Sequence, residues 1–121
     1  MRLLIVLVTI VLFGLVGPVP VRAEMMDHCD HARTIPALRT CVQHARTHGH
    51  IDNYGITRSL VAKLDAAQAA LARGQSAVAV HKLEAFVHAV DAQTGKHIAA
   101  EHAAHLRMHA EAIMTALGGR V

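Results

Sequence analysis

Aromatic side chains are almost missing from this 121-residue sequence, which has no tryptophan, one tyrosine and two phenylalanines. Proteins that bind single-stranded nucleic acid stack the bases on aromatic rings along a basic groove. The formal net charge is only +3 with histidine neutral. The sequence therefore offers neither stacking platforms nor a concentrated positive surface, and nucleic acid is not an expected partner.

Long hydrophobic runs are also lacking. The longest apolar stretch covers residues 3–16, whereas a membrane-spanning helix needs about 20 residues. Arg2 precedes this stretch, and Pro18, Pro20 and the small residue Ala23 follow it. This arrangement predicts a secretory signal peptide over residues 1–23 that is cleaved after Ala23. We therefore expect a secreted or periplasmic protein whose mature chain has no membrane span.

Cysteine is scarce, since Cys29 and Cys41 are the only two. In an oxidising compartment such a pair predicts a disulfide, which would stabilise the fold by about 3 kcal/mol. The alternative is a thiolate site for a soft ion such as Cu(I). Its further ligands would be Met25, Met26, His28 and His31. The sequence has no Cys-x-x-Cys-His, so covalent haem is not expected.

Motifs of known enzyme classes are absent. The sequence contains no nucleophile elbow, no phosphate-binding glycine loop and no His-Glu-x-x-His. Ser59 is predicted to lie on a helix and Ser76 at a helix start, and hydrogen bonds to the nearby backbone account for serine at both positions. We therefore expect a protein that is not an enzyme.

What the sequence does have is helical periodicity. Asn53 and Ser76 are expected helix caps, and Gly49 and Gly74 are expected helix ends. Between them, apolar residues recur at the spacing of an amphipathic helix. The predicted inward stripes contain Leu38, Cys41, Val42 and Ala45; Ile56, Leu60, Leu64, Ala67 and Leu71; Val80, Leu83, Phe86, Val87 and Val90; Leu106, Ala110, Ile113 and Leu117. Because the connections are short, the prediction is an all-α, antiparallel bundle of about four helices.

Residues 51–98 resemble the FIMAH domain, a small helical module of bacterial secreted and surface proteins. The features that carry the resemblance are Gly55-Ile56, Ser59-Leu60, Lys63-Leu64, Arg73-Gly74, Leu83, Ala85-Phe86-Val87, Gly95-Lys96 and Ile98. The resemblance implies an extracytoplasmic helical module with no catalytic residues to transfer. It divides the chain into the signal peptide, a cysteine-containing helical element over residues 24–50 and a FIMAH-like module over residues 51–117. The cysteine element and the histidine content depart from the family pattern.

Histidine is the most unusual component. All eleven histidines follow residue 23, where ten basic and nine acidic residues remain once Arg2 and Arg22 are removed. Acidification would therefore raise the formal charge of the mature chain from about +1 toward about +12.

Three histidines of the fourth predicted helix share one face. His102, His105 and His109 lie at i, i+3 and i+7 and span about 60° of the helix circumference. The third predicted helix carries His81, Glu84 and His88 at the same spacing. An antiparallel turn near residue 94 would place the two rows side by side, as the ligands of a Zn(II) or Cu(II) site.

Other arrangements of the histidines stay open. His44 and His48, with His50 beyond a glycine, could form a weaker independent site, and so could His28 and His31. The two rows of the third and fourth helices could also fail to meet and lie on solvated faces. We therefore expect an exported protein that binds divalent transition metal as a buffer or resistance protein. The alternative is a non-catalytic envelope or extracellular module that binds a protein, a cell-wall component or another envelope surface, with solvated or pH-sensing histidines.

Overall fold

The computed structural model describes Cys29 and residues 32–119. The predicted signal peptide and the residues Met25, Met26, His28 and His31 lie outside these positions. Four helices make up the fold: α1 (Ile35–Thr47), α2 (Tyr54–Ala72), α3 (Ser76–Gln93) and α4 (Ala100–Ala116). The predicted all-α architecture is confirmed.

Two helices begin with a side-chain cap. The Thr34 hydroxyl accepts a hydrogen bond from the Ala37 N–H at 3.2 Å, and the Asn53 side-chain oxygen accepts one from the Ile56 N–H at 3.1 Å. Asn53 therefore caps α2, as the sequence predicted. The prediction for α3 was wrong by one residue, because Ser76 is its first residue and no side chain caps it.

The ends of α1 and α2 have the same backbone geometry. Gly49 follows α1 with a φ of 78°, and the His50 N–H donates to the Ala45 carbonyl at 2.8 Å. Gly74 follows α2 with a φ of 71° and is followed by the equivalent hydrogen bond. Both are Schellman motifs, which need a residue that tolerates positive φ.

The four helices pack in a ring around one core. Contacts join α1 to α2, α2 to α3, α3 to α4 and α4 back to α1. Most of the predicted stripes are buried in this core, and Phe86 at its centre is fully buried. Ile56, Leu71 and Leu117 lie at its edge and are only partly buried. No helix within the described residues is long and apolar enough to cross a membrane.

A short β-bridge joins the loop between α1 and α2 to the loop between α3 and α4. Ile51 and Ile98 pair in antiparallel fashion at its centre, and both side chains are buried. Two backbone hydrogen bonds hold the bridge: from the Asp52 N–H to the His97 carbonyl at 3.0 Å, and from the Ala99 N–H to the His50 carbonyl at 2.9 Å. The bridge fixes the end of α1 against the start of α4.

Candidate functional site

Four histidines gather at this bridged end of the bundle. We refer to His44, His48, His50 and His102 as the loop-end cluster. The ring centroids of His44 and His48 are 4.1 Å apart, and those of His48 and His50 are 6.5 Å apart. The rings of His50 and His102 are stacked, with centroids 3.5 Å apart and an angle of 13° between their planes. The four rings therefore form one continuous row.

Local helix geometry explains one half of the cluster. His44 and His48 are four residues apart at the end of α1, so their side chains are neighbours on the helix surface. His50 follows Gly49, whose positive φ reverses the chain direction. The other half comes from the bridge, which holds the His50 backbone next to α4 and so brings its ring onto His102.

The surroundings favour the neutral forms of two of these imidazoles. The pKa of His44 is lowered, first by desolvation and then by the nearby His48 and His50. The pKa of His102 is lowered in the same way, by desolvation, His50, His105 and His44, against an opposing effect of Glu101. Since only a neutral imidazole has a lone pair to offer, the surroundings of His44 and His102 favour the form that binds metal.

The four rings are not arranged around a single ion position in the conformation described. Among Cys29 and residues 32–119, no group of three or more histidine, cysteine or acidic side chains is arranged to hold a metal. The stack explains part of this, because a metal ion binds in the plane of an imidazole ring and not between two parallel rings. His50 and His102 would have to rotate apart to bind one ion.

The predicted metal ligands of α3 lie at the protein surface. His81 and Glu84 contact each other, with 3.3 Å between Nδ1 and Oε2, and the His81 side chain is 77% exposed. His88 is exposed one helix turn further on. His102, which we expected to face His88, stacks on His50 instead.

The other two predicted ligands of α4 differ in their exposure to solvent. His105 is exposed and borders a shallow hollow beside Glu101. His109 is buried, with 5% of its surface exposed, and its ring centroid is 6.4 Å from that of His105. His109 was expected to share a ligand face with His102 and His105, but α4 packs its His109 side against the bundle together with Leu106 and Ala110.

The two cysteines adjoin the same core without a disulfide between them. Cys41 is buried in the core as a residue of α1, and Cys29 is partly buried against it. Both cysteines thus contact the core. The predicted disulfide stays a prediction.

Sequence reasoning missed one more polar pair at the bridge. The Nδ1 atom of His97 lies 2.7 Å from the Oδ1 atom of Asp52. These residues are 45 positions apart in the chain, so no helical spacing could indicate the pair. The only available signal was the position of each residue next to a predicted helix boundary.

The fold is that of a small helical module with a histidine-rich end. The FIMAH domain family matches residues 35–115, about two thirds of the 121 residues, and the chain belongs to this family. The match begins in α1, within the segment that we assigned to the cysteine element. No curated protein and no solved structure matches the chain.

Proposed function

We propose that this protein binds a divalent transition metal ion, Zn(II) or Cu(II), through the loop-end cluster. The observation that carries the proposal is the continuous row of four imidazole rings, contributed by α1, the following loop and α4. Imidazole nitrogen is a preferred ligand of both ions, and three or four such ligands complete a site. The protein would act as an extracytoplasmic buffer or resistance protein and not as an enzyme.

The backbone beneath the cluster supports the proposal. Hydrogen bonds of the Schellman motif and of the bridge fix the main chain of His50 on both sides. The main chains of His44 and His102 belong to helices, and His48 is the C-cap residue of α1. Binding would therefore need only rotations of side chains, which cost far less than reorganising the backbone.

The lowered pKa values of two cluster histidines also support metal binding. In the metal-free protein, desolvation and neighbouring histidines lower the pKa of His44 and of His102. Both imidazoles therefore stay neutral to lower pH, and a metal ion meets less competition from protons for their lone pairs.

A second candidate is a module that binds an envelope protein and senses pH. The same two lowered pKa values favour it, because protonation of the cluster would separate the rings in mildly acidic medium. This function requires no metal. It predicts a change of structure with pH and no stabilisation by Zn(II) or Cu(II).

Export and the disulfide form part of the proposed function. A signal peptide over residues 1–23 would place the protein outside the cytoplasm, where Cys29 and Cys41 would be joined. We predict that protein from its native compartment is lighter by two hydrogen atoms than the same protein after reduction. Intact-mass measurement checks this, and free thiols in unreduced protein would refute the disulfide.

Thermal melting with and without metal tests the proposal. Zn(II) should raise the melting temperature of the mature chain, because an ion that binds only the folded state stabilises it by mass action. The double variant His44→Gln with His48→Gln should lose most of this increase. The matched control, His81→Gln with His88→Gln, should keep it. Equal losses in both variants would mean nonspecific binding, and no increase in the unmodified protein would favour the pH-sensing module.

A further inference from the structure

The Asp52–His97 pair lies on the same face of the β-bridge as His50. Side chains alternate between the two faces of paired extended strands. Ile51 and Ile98 point into the core, so their neighbours His50, Asp52 and His97 point outward. The exposures agree, since Ile51 and Ile98 are buried whereas Asp52 and His97 are exposed and His50 is partly exposed.

Register places the two histidines within reach of each other. Because Ile51 is opposite Ile98, Asp52 is opposite His97, and His50 is the diagonal neighbour of His97. Diagonal neighbours on one face of an antiparallel pair are about 7–8 Å apart at their Cα atoms, within reach of long side chains. His50 and His97 also line one groove of about 230 Å³.

The carboxylate of Asp52 prepares the His97 ring for metal binding. When Nδ1–H donates to Asp52 over the 2.7 Å between the two atoms, the neutral ring keeps its lone pair on Nε2. Histidine ligands of metal ions commonly donate their second nitrogen to a carboxylate in this way, which fixes the tautomer and the ring orientation. Here the lone pair would be available on the atom farthest from the backbone.

We propose that His97 is a further ligand of the ion held by the loop-end cluster, and that Asp52 is the positioning residue that orients its ring. This inference rests on the proposed metal binding. His50 is the central ligand, with His102 on one side and His97 on the other. The ion then joins the two loops that the β-bridge already pairs.

Lys96 also lines the groove, and its positive charge opposes a bound cation. The Asp52 carboxylate provides the opposite charge on the same face. Lys96 is therefore a useful control, since it shares the groove but cannot bind the ion while protonated. Removing its charge should leave the metal affinity unchanged or raise it.

The test is the Zn(II) affinity of the mature chain, measured by competition with a chromophoric chelator. Asp52→Asn should weaken binding by about 10- to 100-fold, the range found when outer-shell partners of metal ligands are removed. His97→Gln removes a ligand itself and should weaken binding by at least as much. Lys96→Gln should not weaken it. His81→Gln, which removes the histidine from a similar histidine–carboxylate contact on α3, should bind as the unmodified protein does.

Two further measurements distinguish a positioning role of Asp52 from a general loss of structure in the variants. Nitrogen NMR should show the His97 ring as the Nδ1–H tautomer in the metal-free protein and a changed tautomer balance in Asp52→Asn. Melting of the metal-free variants should show that both remain folded. If the unmodified protein binds Zn(II) and both variants bind within twofold of it, the roles of His97 and Asp52 are refuted while the proposed function stands. If the unmodified protein does not bind, the proposed function itself fails.

Discussion

The two ends of the bundle use the same motif to end a helix but carry different chemistry. Gly49 ends α1 and Gly74 ends α2, each with a positive φ. After Gly74 the chain enters α3 at once, and residues 73–75 form a tight connection without histidine. After Gly49 the chain forms the β-bridge with a distant loop, and the ring of His50 meets that of His102 in α4. The local motif therefore sets the direction of the chain after each helix, whereas the long-range β-bridge assembles the histidine site.

Breaking the bridge should have the largest effect. Ile98 is almost fully buried, with 1% of its surface exposed, so Ile98→Ala should lower the free energy of unfolding by about 2–5 kcal/mol. It should also weaken Zn(II) binding, because the cluster depends on the bridge. Chemical denaturation and metal titration measure the two effects.

The matched control for Ile98 is Ile56→Ala in α2, where the side chain is only partly buried. Its loss of stability should be smaller, and its metal affinity should be unchanged. Should Ile98→Ala lower stability but leave Zn(II) affinity intact, the bridge would not be what assembles the cluster.

The two glycines allow a direct comparison of the two ends. A Cβ atom at Gly49 or at Gly74 would meet no atom within 4 Å, so alanine at either position introduces only conformational strain. Each substitution should cost about 1–2 kcal/mol of stability, because both positions have positive φ. Only Gly49→Ala should also weaken metal binding, since it displaces His50. Equal metal affinities for the two variants would contradict this assignment.

The pH dependence of stability should be a smaller effect confined to the histidine end. The pKa values of His44 and His102 are lowered in the folded state, so the unfolded chain takes up protons first as the pH falls. Stability should therefore decrease as the pH falls below about 6.5, and the decrease should end below the lowered folded-state values.

Replacing His44 or His102 with glutamine should reduce this pH dependence. His88→Gln, which removes an exposed histidine of α3, is the control and should leave it unchanged. Melting temperatures between pH 7.5 and 5 measure the effect. A flat profile in the unmodified protein would mean that cluster protonation is not linked to folding.

The sequence was sufficient for most of the fold because helices depend on local rules. Apolar spacing located all four helices, and Asn53, Gly49 and Gly74 located helix boundaries. The error at Ser76 has a local cause as well, since Gln75 precedes α3 without a capping bond and the preference for serine as a cap misplaced the start. The burial of His109 was not predicted, because the width of the buried face of α4 depends on how this helix packs against the bundle.

The site was less predictable because it depends on contacts between distant loops. Spacing identified His44, His48 and His50 as one group and His102 as part of another, and both groupings follow from single helices. The stack of His50 on His102 requires the pairing of Ile51 with Ile98. The Asp52–His97 pair has the same origin. Neither arrangement leaves a periodic pattern in the sequence.

One NMR titration tests the central claim most directly. Zn(II) added below one equivalent should shift the ring signals of His44, His48, His50 and His102 first, with those of His97. The ring signals of His81, His88 and His105 should stay in place until an excess is present. Simultaneous shifts of all the histidines, or early shifts of His81 and His88 alone, would contradict a metal site at the bridged end of the bundle.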